Sequence, residues 1–153
     1  MDLHPDFRDL LAELVRFEAR FALVGGYAVS FHSTPRATKD LDLLISAEGD
    51  GLRRASLALS AFGAPPQVVE AVRELAPTEV AYMGAPPLRV DIMRRVDGIE
   101  TEEAIDRAIE SRLGELTIRI IALDDLIANK RASGRPQDMA DVAVLERVRA
   151  KSK

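Results

Sequence analysis

The chain has 153 residues, of which 47% are apolar, 30% charged and 5% aromatic, and it contains neither cysteine nor tryptophan. This length predicts one domain over residues 1–153 with an aliphatic core, and the missing cysteines exclude disulfides, thiolate zinc sites and a cysteine nucleophile. The two histidines, His4 and His32, make a histidine-based metal site or triad improbable. No apolar run approaches the ~20 residues of a membrane span, and the acidic start, broken by Pro5, is unlike a signal peptide, so we expect a cytoplasmic protein.

The net charge of −4 is distributed unevenly along the chain. Residues 128–153 carry seven lysines and arginines against three acidic residues, a net charge of +4, so the remaining residues sum to −8. A basic segment on an acidic body can attract polyanions such as RNA. The alternative is a helix whose last turn is basic because cations suit the helix dipole there.

Apolar spacing and the turns rich in glycine and proline predict an α/β (α+β) fold, a small mixed sheet flanked by helices, with a helical C-terminal segment at about residues 123–150. The predicted elements, in chain order, are a helix at 6–18, a strand at 21–24, a helix at 27–31, a strand at 41–45, helices at 52–62 and 68–75, strands at 78–83 and 88–93, a helix at 101–109, a strand at 117–121, and helices at 123–132 and 136–149. The strands at 78–83 and 88–93 are expected to form a hairpin.

Two aspartates stand at the start of the second predicted strand. Asp40 and Asp42 are two residues apart, so both side chains leave the same face, with Cα atoms ~7 Å apart. Two like charges this close raise one pKa and reduce stability, and a divalent cation such as Mg²⁺ removes that penalty. A solvated surface pair is the alternative for this motif.

A third aspartate lies in the apolar strand LRVDIM. Leu88, Val90 and Ile92 alternate onto one face and leave Asp91 on the other. An acid in so apolar a strand needs a partner or a role. Asp91 is therefore either the partner of a neighbouring arginine or a third carboxylate beside Asp40 and Asp42.

A double glycine, Gly25–Gly26, ends the first predicted strand and opens a helix. Free backbone N–H groups and the helix dipole favour an anion such as phosphate at that point, and glycine allows the ligand to come close. The pattern is neither a G-x-G-x-x-G motif nor a P-loop, and a simple tight turn is the alternative.

Lys130 lies on an otherwise apolar helical stripe with Leu123, Leu126 and Ile127. Asp138 and Asp141 share one face of the next helix, so a buried Lys130–Asp141 pair that braces the two helices is one prediction. The other places Lys130, or Arg135 in the connecting turn, at a triphosphate or an acceptor.

These features in this order resemble the DNA polymerase β-like nucleotidyltransferase superfamily, and within it the small proteins related to AbiEii-type toxins of type IV toxin–antitoxin systems. The resemblance is carried by Gly25, Gly26, Arg36, Thr38, Lys39, Asp40, Asp42 and Asp91. It continues in the segment LIANKRASGRPQDMADV, residues 126–142, which is similar to a Lys, then Gly-Arg-Pro-x-Asp-x-x-Asp segment of such proteins.

The resemblance implies a metal-dependent transfer of NMP from an NTP to an acceptor hydroxyl on RNA, tRNA, a protein or a small molecule, with an antitoxin as a possible partner. It implies that the two glycines hold the triphosphate and that the three aspartates form the catalytic site and bind two Mg²⁺ ions. It further implies nucleotide-binding roles for the remaining polar residues, namely Arg36, Thr38, Lys39, Lys130 and Arg135.

Two other functions are consistent with the same residues. A non-catalytic module of this fold would bind a nucleotide, RNA or a partner protein. A glycosyltransferase would use Asp-x-Asp to hold a metal under a nucleotide sugar, although such enzymes need a larger nucleotide-binding domain.

Overall fold

In the computed structural model, which describes residues 3–35, 40–85 and 88–152, helices alternate with the strands of one sheet. The strands are β1 (Phe21–Val24), β2 (Asp40–Ile45), β3 (Val80–Met83), β4 (Arg89–Met93), β5 (Ile109–Leu113) and β6 (Leu116–Ile120). The helices are α1 (Pro5–Arg16), α2 (Gly25–His32), α3 (Gly51–Phe62), α4 (Pro66–Arg73), α5 (Thr101–Arg107), α6 (Leu123–Ser133) and α7 (Pro136–Lys151). The predicted α+β class and the helical C-terminal segment are confirmed.

The sheet has the strand order β3-β4-β2-β1-β6-β5 and is mixed. β2 runs antiparallel to β1 and parallel to β4, and the predicted β3–β4 hairpin is antiparallel. β1 is also parallel to β6. The sheet therefore has β1 and β2 at its centre and two hairpins at its edges.

One strand was missed by the sequence prediction, which extended the helix at 101–109 into its first residue. α5 ends at Arg107, and β5 begins at Ile109 and pairs with β6 through a turn at Gly114. Gly114 adopts a φ of +64°, which glycine tolerates better than other residues. β5 is an edge strand with mostly exposed side chains, so its pattern carries little of the apolar signal that marks a buried strand.

The core is aliphatic, as the composition predicts. Leucines of α1, β1 and β2 are fully buried, among them Leu10, Leu23 and Leu43. β2 shows the expected alternation, because Leu41 and Leu43 are buried whereas Asp40 and Asp42 are partly exposed. Beyond Asp42 the aspartate face also becomes buried.

The C-terminal helices α6 and α7 pack against each other, and α2 contacts both. α6 ends at Ser133 and is capped by Gly134 in the left-handed conformation, and Pro136 begins α7, where the absent N–H costs nothing. Arg149 of the basic last turn pairs with Asp124 and Glu146, which agrees with a structural role for part of that charge. In the described ranges, no helix combines the length and the apolar character needed to cross a bilayer.

Candidate active site

Two of the predicted aspartates face each other across neighbouring strands. Asp42 of β2 and Asp91 of β4 are register partners. Val24 of β1 is the partner of Asp42 on the other side, and Tyr82 of β3 is the partner of Asp91. Paired residues of neighbouring strands lie on one face, so Tyr82, Asp91, Asp42 and Val24 form a row across four strands, which we call the carboxylate row.

The environment of Asp42 disfavours its charge. Burial, followed by the negative charges of Asp91 and Asp40, raises the pKa of Asp42 from 3.8 to about 7. A hydrogen bond with Asp91 adds to this effect, and the ammonium group of Lys130 opposes it. In the absence of a cation, therefore, the carboxyl group of Asp42 is close to half protonated at neutral pH.

Asp40 has an unsatisfied carboxylate oxygen. Its Oδ1 is buried, and no hydrogen-bond partner reaches it within the described parts of the chain. A buried acceptor without a partner costs about 1–3 kcal/mol, so such an atom calls for a ligand. Hard oxygen donors of this kind suit Mg²⁺.

Asp91 has the arginine partner that the sequence offered as an alternative. Arg89 lies two residues earlier on the same strand, and its Nε donates to Asp91 Oδ1 over 2.9 Å. Within residues 3–35, 40–85 and 88–152, no three His, Asp or Glu side chains converge on one point. The three aspartates are thus neighbours on one face, with Arg89 holding one oxygen of Asp91.

Gly25 lies directly against the carboxyl group of Asp42. It has a φ of +66°, and a Cβ built on it would be 2.0 Å from Asp42 Oδ2. Both the backbone conformation and the close approach require glycine here. Gly25 and Gly26 open α2, whose first turn has no capping side chain, so this helix end could donate backbone hydrogen bonds to an anion, as the sequence suggests.

A pocket of about 270 Å³ opens between Gly25 and the C-terminal helices. Besides Asp42, its lining includes the cationic side chains of Lys130 and Arg135, both of which the sequence had singled out. Arg95, which follows β4, also lines it and was missed. The structure therefore brings Gly25, three aspartates and three cations to one concave surface, the kind of surface on which ligands bind.

Lys130 also makes the buried pair that was the structural alternative. Its Nζ lies 3.1 Å from Asp141 Oδ2 and 3.3 Å from Asp138 Oδ1, and the Lys130 side chain is 10% exposed. Asp138 also accepts a hydrogen bond from Arg135 Nε over 2.7 Å, and Arg135, ahead of Lys130, lowers the pKa of Asp138. The predicted brace between α6 and α7 is confirmed, and the same lysine lines the pocket.

Three predicted nucleotide-binding residues, Arg36, Thr38 and Lys39, lie outside the described residues. Two further pocket residues, Asn129 and Ser133, were missed, although they flank Lys130 on α6. Asn129 donates to the backbone carbonyl of Asp97, which fixes the turn after β4 against α6. The spacing of one helical turn between Asn129 and Ser133 was the signal that could have identified them.

A search of curated protein sequences gives no significant match. Residues 8–152 match the family model described as nucleotidyl transferase AbiEii toxin, type IV TA system. Because this match extends over nearly the whole chain and includes both the carboxylate row and the pocket beside Gly25, the chain belongs to the AbiEii nucleotidyl transferase toxin family.

Proposed function

We propose that this protein transfers a nucleoside monophosphate from an NTP to an acceptor hydroxyl, and that this transfer is the basis of a toxin activity. The observation that carries the proposal is the position of Asp42. It lies opposite Asp91 in the sheet, against Gly25, and in the wall of the pocket that Lys130 and Arg135 line. Carboxylates, a helix N-terminus and cations thus surround one space, which suits phosphoryl chemistry.

In the proposed reaction, the oxygen of the acceptor hydroxyl forms a bond to the α-phosphorus of the NTP. The bond between that phosphorus and the oxygen bridging to the β-phosphate breaks, and pyrophosphate leaves with the bond's electron pair. The hydroxyl proton passes to the carboxylate of Asp91. The residues would hold the reacting groups in line, and such positioning supplies much of the catalysis in phosphoryl transfer.

The β- and γ-phosphates would lie at the start of α2, with the backbone N–H groups of Gly25 and Gly26 as donors. Lys130, Arg135 and Arg95 would stabilise the negative charge that develops on the leaving pyrophosphate. Asp138 and Asp141 would hold Lys130 in place for this role. The same side chains thus combine the structural and the functional roles that the sequence left open.

Asp40 and Asp42 would hold Mg²⁺, with Asp91 completing the site. Three features favour a cation here: the unpartnered Oδ1 of Asp40, the high pKa of Asp42 and the hard character of the donors. When bound, the metal would neutralise charge on the phosphates and on the attacking oxygen. The proposal also includes a second Mg²⁺ ion at this site and an antitoxin protein as a partner. The titration described next identifies which NTP binds.

Calorimetric titration of each of the four NTPs, with and without Mg²⁺, tests the site. We expect Mg²⁺-dependent binding in the wild type and its loss in Asp42→Asn. The matched control is Asp106→Asn, because Asp106 of α5 is exposed and pairs only with the surface residue Arg20 in the contacts described; this variant should bind as the wild type does. Equal NTP binding by both variants, with or without Mg²⁺, would refute the assignment of Asp42.

A non-catalytic module is the second candidate, and one observation favours it. Arg89 already holds an oxygen of Asp91, and the described residues contain no convergent group of three acidic or histidine ligands. Such a module would bind an NTP without Mg²⁺-dependent release of pyrophosphate. A preference for nucleotide sugars over NTPs in the same titration would instead indicate a glycosyltransferase.

A further inference from the structure

The pocket beside Gly25 also holds an acidic side chain that the proposed reaction does not use. Asp97 lies in the turn after β4 and lines this pocket together with the cations of Arg95, Lys130 and Arg135. Within the described parts of the chain, no ion pair or hydrogen bond reaches the Asp97 carboxylate. Because a carboxylate repels phosphate groups, an unpaired one in a pocket for a polyanionic ligand calls for a different contact with that ligand.

The turn that carries Asp97 is attached to α6 at two points. Asn129 Nδ2 donates to the backbone carbonyl of Asp97 over 2.9 Å. Gly98 lies so close to the same helix that a Cβ built on it would be 2.7 Å from the carbonyl oxygen of Ala128 and 2.6 Å from the Cβ of Ala132. The backbone of the turn therefore cannot shift without the loss of one of these contacts, and the short Asp97 side chain is kept at the pocket.

The chemistry of a carboxylate limits what Asp97 can contact on an NTP. An ionised carboxylate accepts hydrogen bonds and cannot donate them, so its partner must be a part of the ligand that carries donors. The donors of an NTP are the 2′- and 3′-hydroxyls of its ribose and the N–H groups of its base. The two neighbouring hydroxyls match the two oxygens of one carboxylate, and an acidic residue holds the ribose of dinucleotide cofactors in the same way.

The size of the pocket favours the ribose over the base. Its volume of about 270 Å³ is below the roughly 300–1,000 Å³ of sites that enclose a whole drug-sized ligand. An NTP whose phosphates lie at Gly25 would therefore fill the pocket with its phosphates and its sugar, and the base would extend beyond the mouth. The ribose, which adjoins the phosphates, is then the part of the ligand that a carboxylate inside the pocket can reach.

We propose that Asp97 is a specificity-determining residue, which accepts hydrogen bonds from the ribose hydroxyls of the bound NTP, and that Asn129 positions it. The inference rests on the proposed nucleotidyl transfer, for which it names the residue that selects ribonucleotides. The three cations of the pocket attract the phosphates, whereas Asp97 repels them and accepts from the sugar. Together these charges fix which end of the ligand lies at which part of the pocket.

Calorimetric titration of the full chain in Mg²⁺ tests the role of Asp97. Each of the four NTPs is compared with its 2′,3′-dideoxy counterpart, which lacks both hydroxyls. We expect the wild type to bind the NTP roughly 10- to 100-fold more tightly, the range for hydrogen bonds to a charged group. Asp97→Ala should abolish this preference by weakening the binding of the NTP, and it should bind the dideoxy compound at least as tightly as the wild type because a charge that repels phosphate is gone.

Two further variants separate this role from a general effect of charge or folding. Asp9→Ala is the matched control, because Asp9 is an exposed acid of α1 outside the pocket and makes no ion pair within the described ranges. Asn129→Ala should lower the affinity ratio of NTP to dideoxy compound in the wild-type background. It should leave the ratio unchanged in the Asp97→Ala background, because the effects of residues that act through one another do not add. An equal loss in both backgrounds would contradict the positioning role of Asn129.

The titration distinguishes failure of this inference from failure of the proposed function. A wild type that binds each NTP and its dideoxy counterpart equally would overturn the assignment of Asp97 and leave the nucleotidyl transfer intact. A wild-type ratio in Asp97→Ala, or an equal fall of the ratio in Asp9→Ala, would do the same. If Asp97→Ala changed the order of preference among the four NTPs and kept each ratio, the carboxylate would contact the base, contrary to the inference. Absence of NTP binding to the wild type would overturn the proposed function and this inference with it.

Discussion

Replacement of Asp42 by asparagine should stabilise the metal-free protein at neutral and alkaline pH. The carboxyl group of Asp42 has a pKa of about 7 in the fold, against 3.8 ordinarily, chiefly because it is buried and then because of Asp91 and Asp40. An unfolded chain therefore loses the Asp42 proton at lower pH than the folded chain does. Between these two pKa values, folding stability falls as pH rises.

The magnitude follows from the two pKa values. Their difference of about three pH units, at ~1.36 kcal/mol per unit, gives an upper limit of about 4 kcal/mol for the cost of ionising Asp42 in the fold. Asparagine has nearly the same shape and no charge, but its amide must also be desolvated. We therefore expect the free energy of unfolding of Asp42→Asn to exceed that of the wild type by about 2–4 kcal/mol, which corresponds to an increase in Tm of roughly 4–16 °C for a chain of this size.

Urea unfolding of wild type, Asp42→Asn and Asp106→Asn in a chelator, followed by circular dichroism across pH, measures this effect. The gain in Asp42→Asn should be complete above pH 7 and absent below 3.8, where both states of the wild type carry the proton. Addition of Mg²⁺ should then stabilise the wild type and not the variant. A variant that is less stable at every pH, or whose gain does not change with pH, would refute the reasoning.

Two further substitutions test the packing around the site. Gly25→Ala should abolish Mg²⁺-dependent NTP binding because its Cβ would meet Asp42 Oδ2 at 2.0 Å. Gly114→Ala is the control: it has a similar φ of +64° and no atom within 4 Å of the new Cβ, so it should bind NTP and lose only the roughly 1–2 kcal/mol of folding stability that a left-handed alanine costs. Equal NTP binding by the two variants would contradict this prediction. Lys130→Ala should destabilise the fold by up to about 3–5 kcal/mol because it removes the ammonium group that contacts two buried carboxylates. Arg131→Ala, which removes a more exposed pair on the same helix, should cost below ~1 kcal/mol in the same urea assay; an equally small loss in Lys130→Ala would show that the brace contributes little.

The faces of the strands could be predicted from the sequence because a strand repeats every two residues. That rule placed Asp40 and Asp42 on one face and Asp91 away from the apolar side chains, as the structure has them. The register between β2 and β4 could not be predicted in this way, because it depends on pairing between residues that are distant in the chain. That Asp42 and Asp91 lie side by side on neighbouring strands is therefore a hypothesis at the level of the sequence, and the strand pairing confirms it.

The ion pair between Arg89 and Asp91 could be predicted from the sequence, whereas the tyrosine ring beside it could not. Arg89 is two residues before Asp91, so the same period of two places both side chains on one face. An arginine partner for Asp91 is therefore one of the two predictions made from the strand LRVDIM, and the structure confirms it. The position of Tyr82 beside them could not be predicted in this way, because it follows from the register of the β3–β4 hairpin.

The sequence predicts two roles for Lys130, a brace between helices and a ligand contact, and the geometry makes the two compatible. A helical stripe predicts only that the lysine lies on an apolar face, and the partners on α7 depend on how the two helices pack. Their packing brings Asp138 and Asp141 within 3.3 Å of the ammonium group while leaving it at the pocket. Arg95 reaches the same pocket from the segment after β4, which no local pattern marks.

The location of the aspartates on central strands links the stability of the fold to its proposed chemistry. Asp40 and Asp42 belong to β2, which pairs on both sides with β1 and β4, so the carboxylates cannot move apart to relieve their repulsion. If a cation binds as proposed, it would offset the free energy that ionised Asp42 costs the fold, and this offset would add to the affinity for that cation. Carboxylates on a loop could move apart, and their repulsion would then no longer contribute to the affinity for the cation. The same rigidity that makes Asp42 unfavourable in the metal-free protein would therefore make the site selective for a charged, metal-dependent ligand.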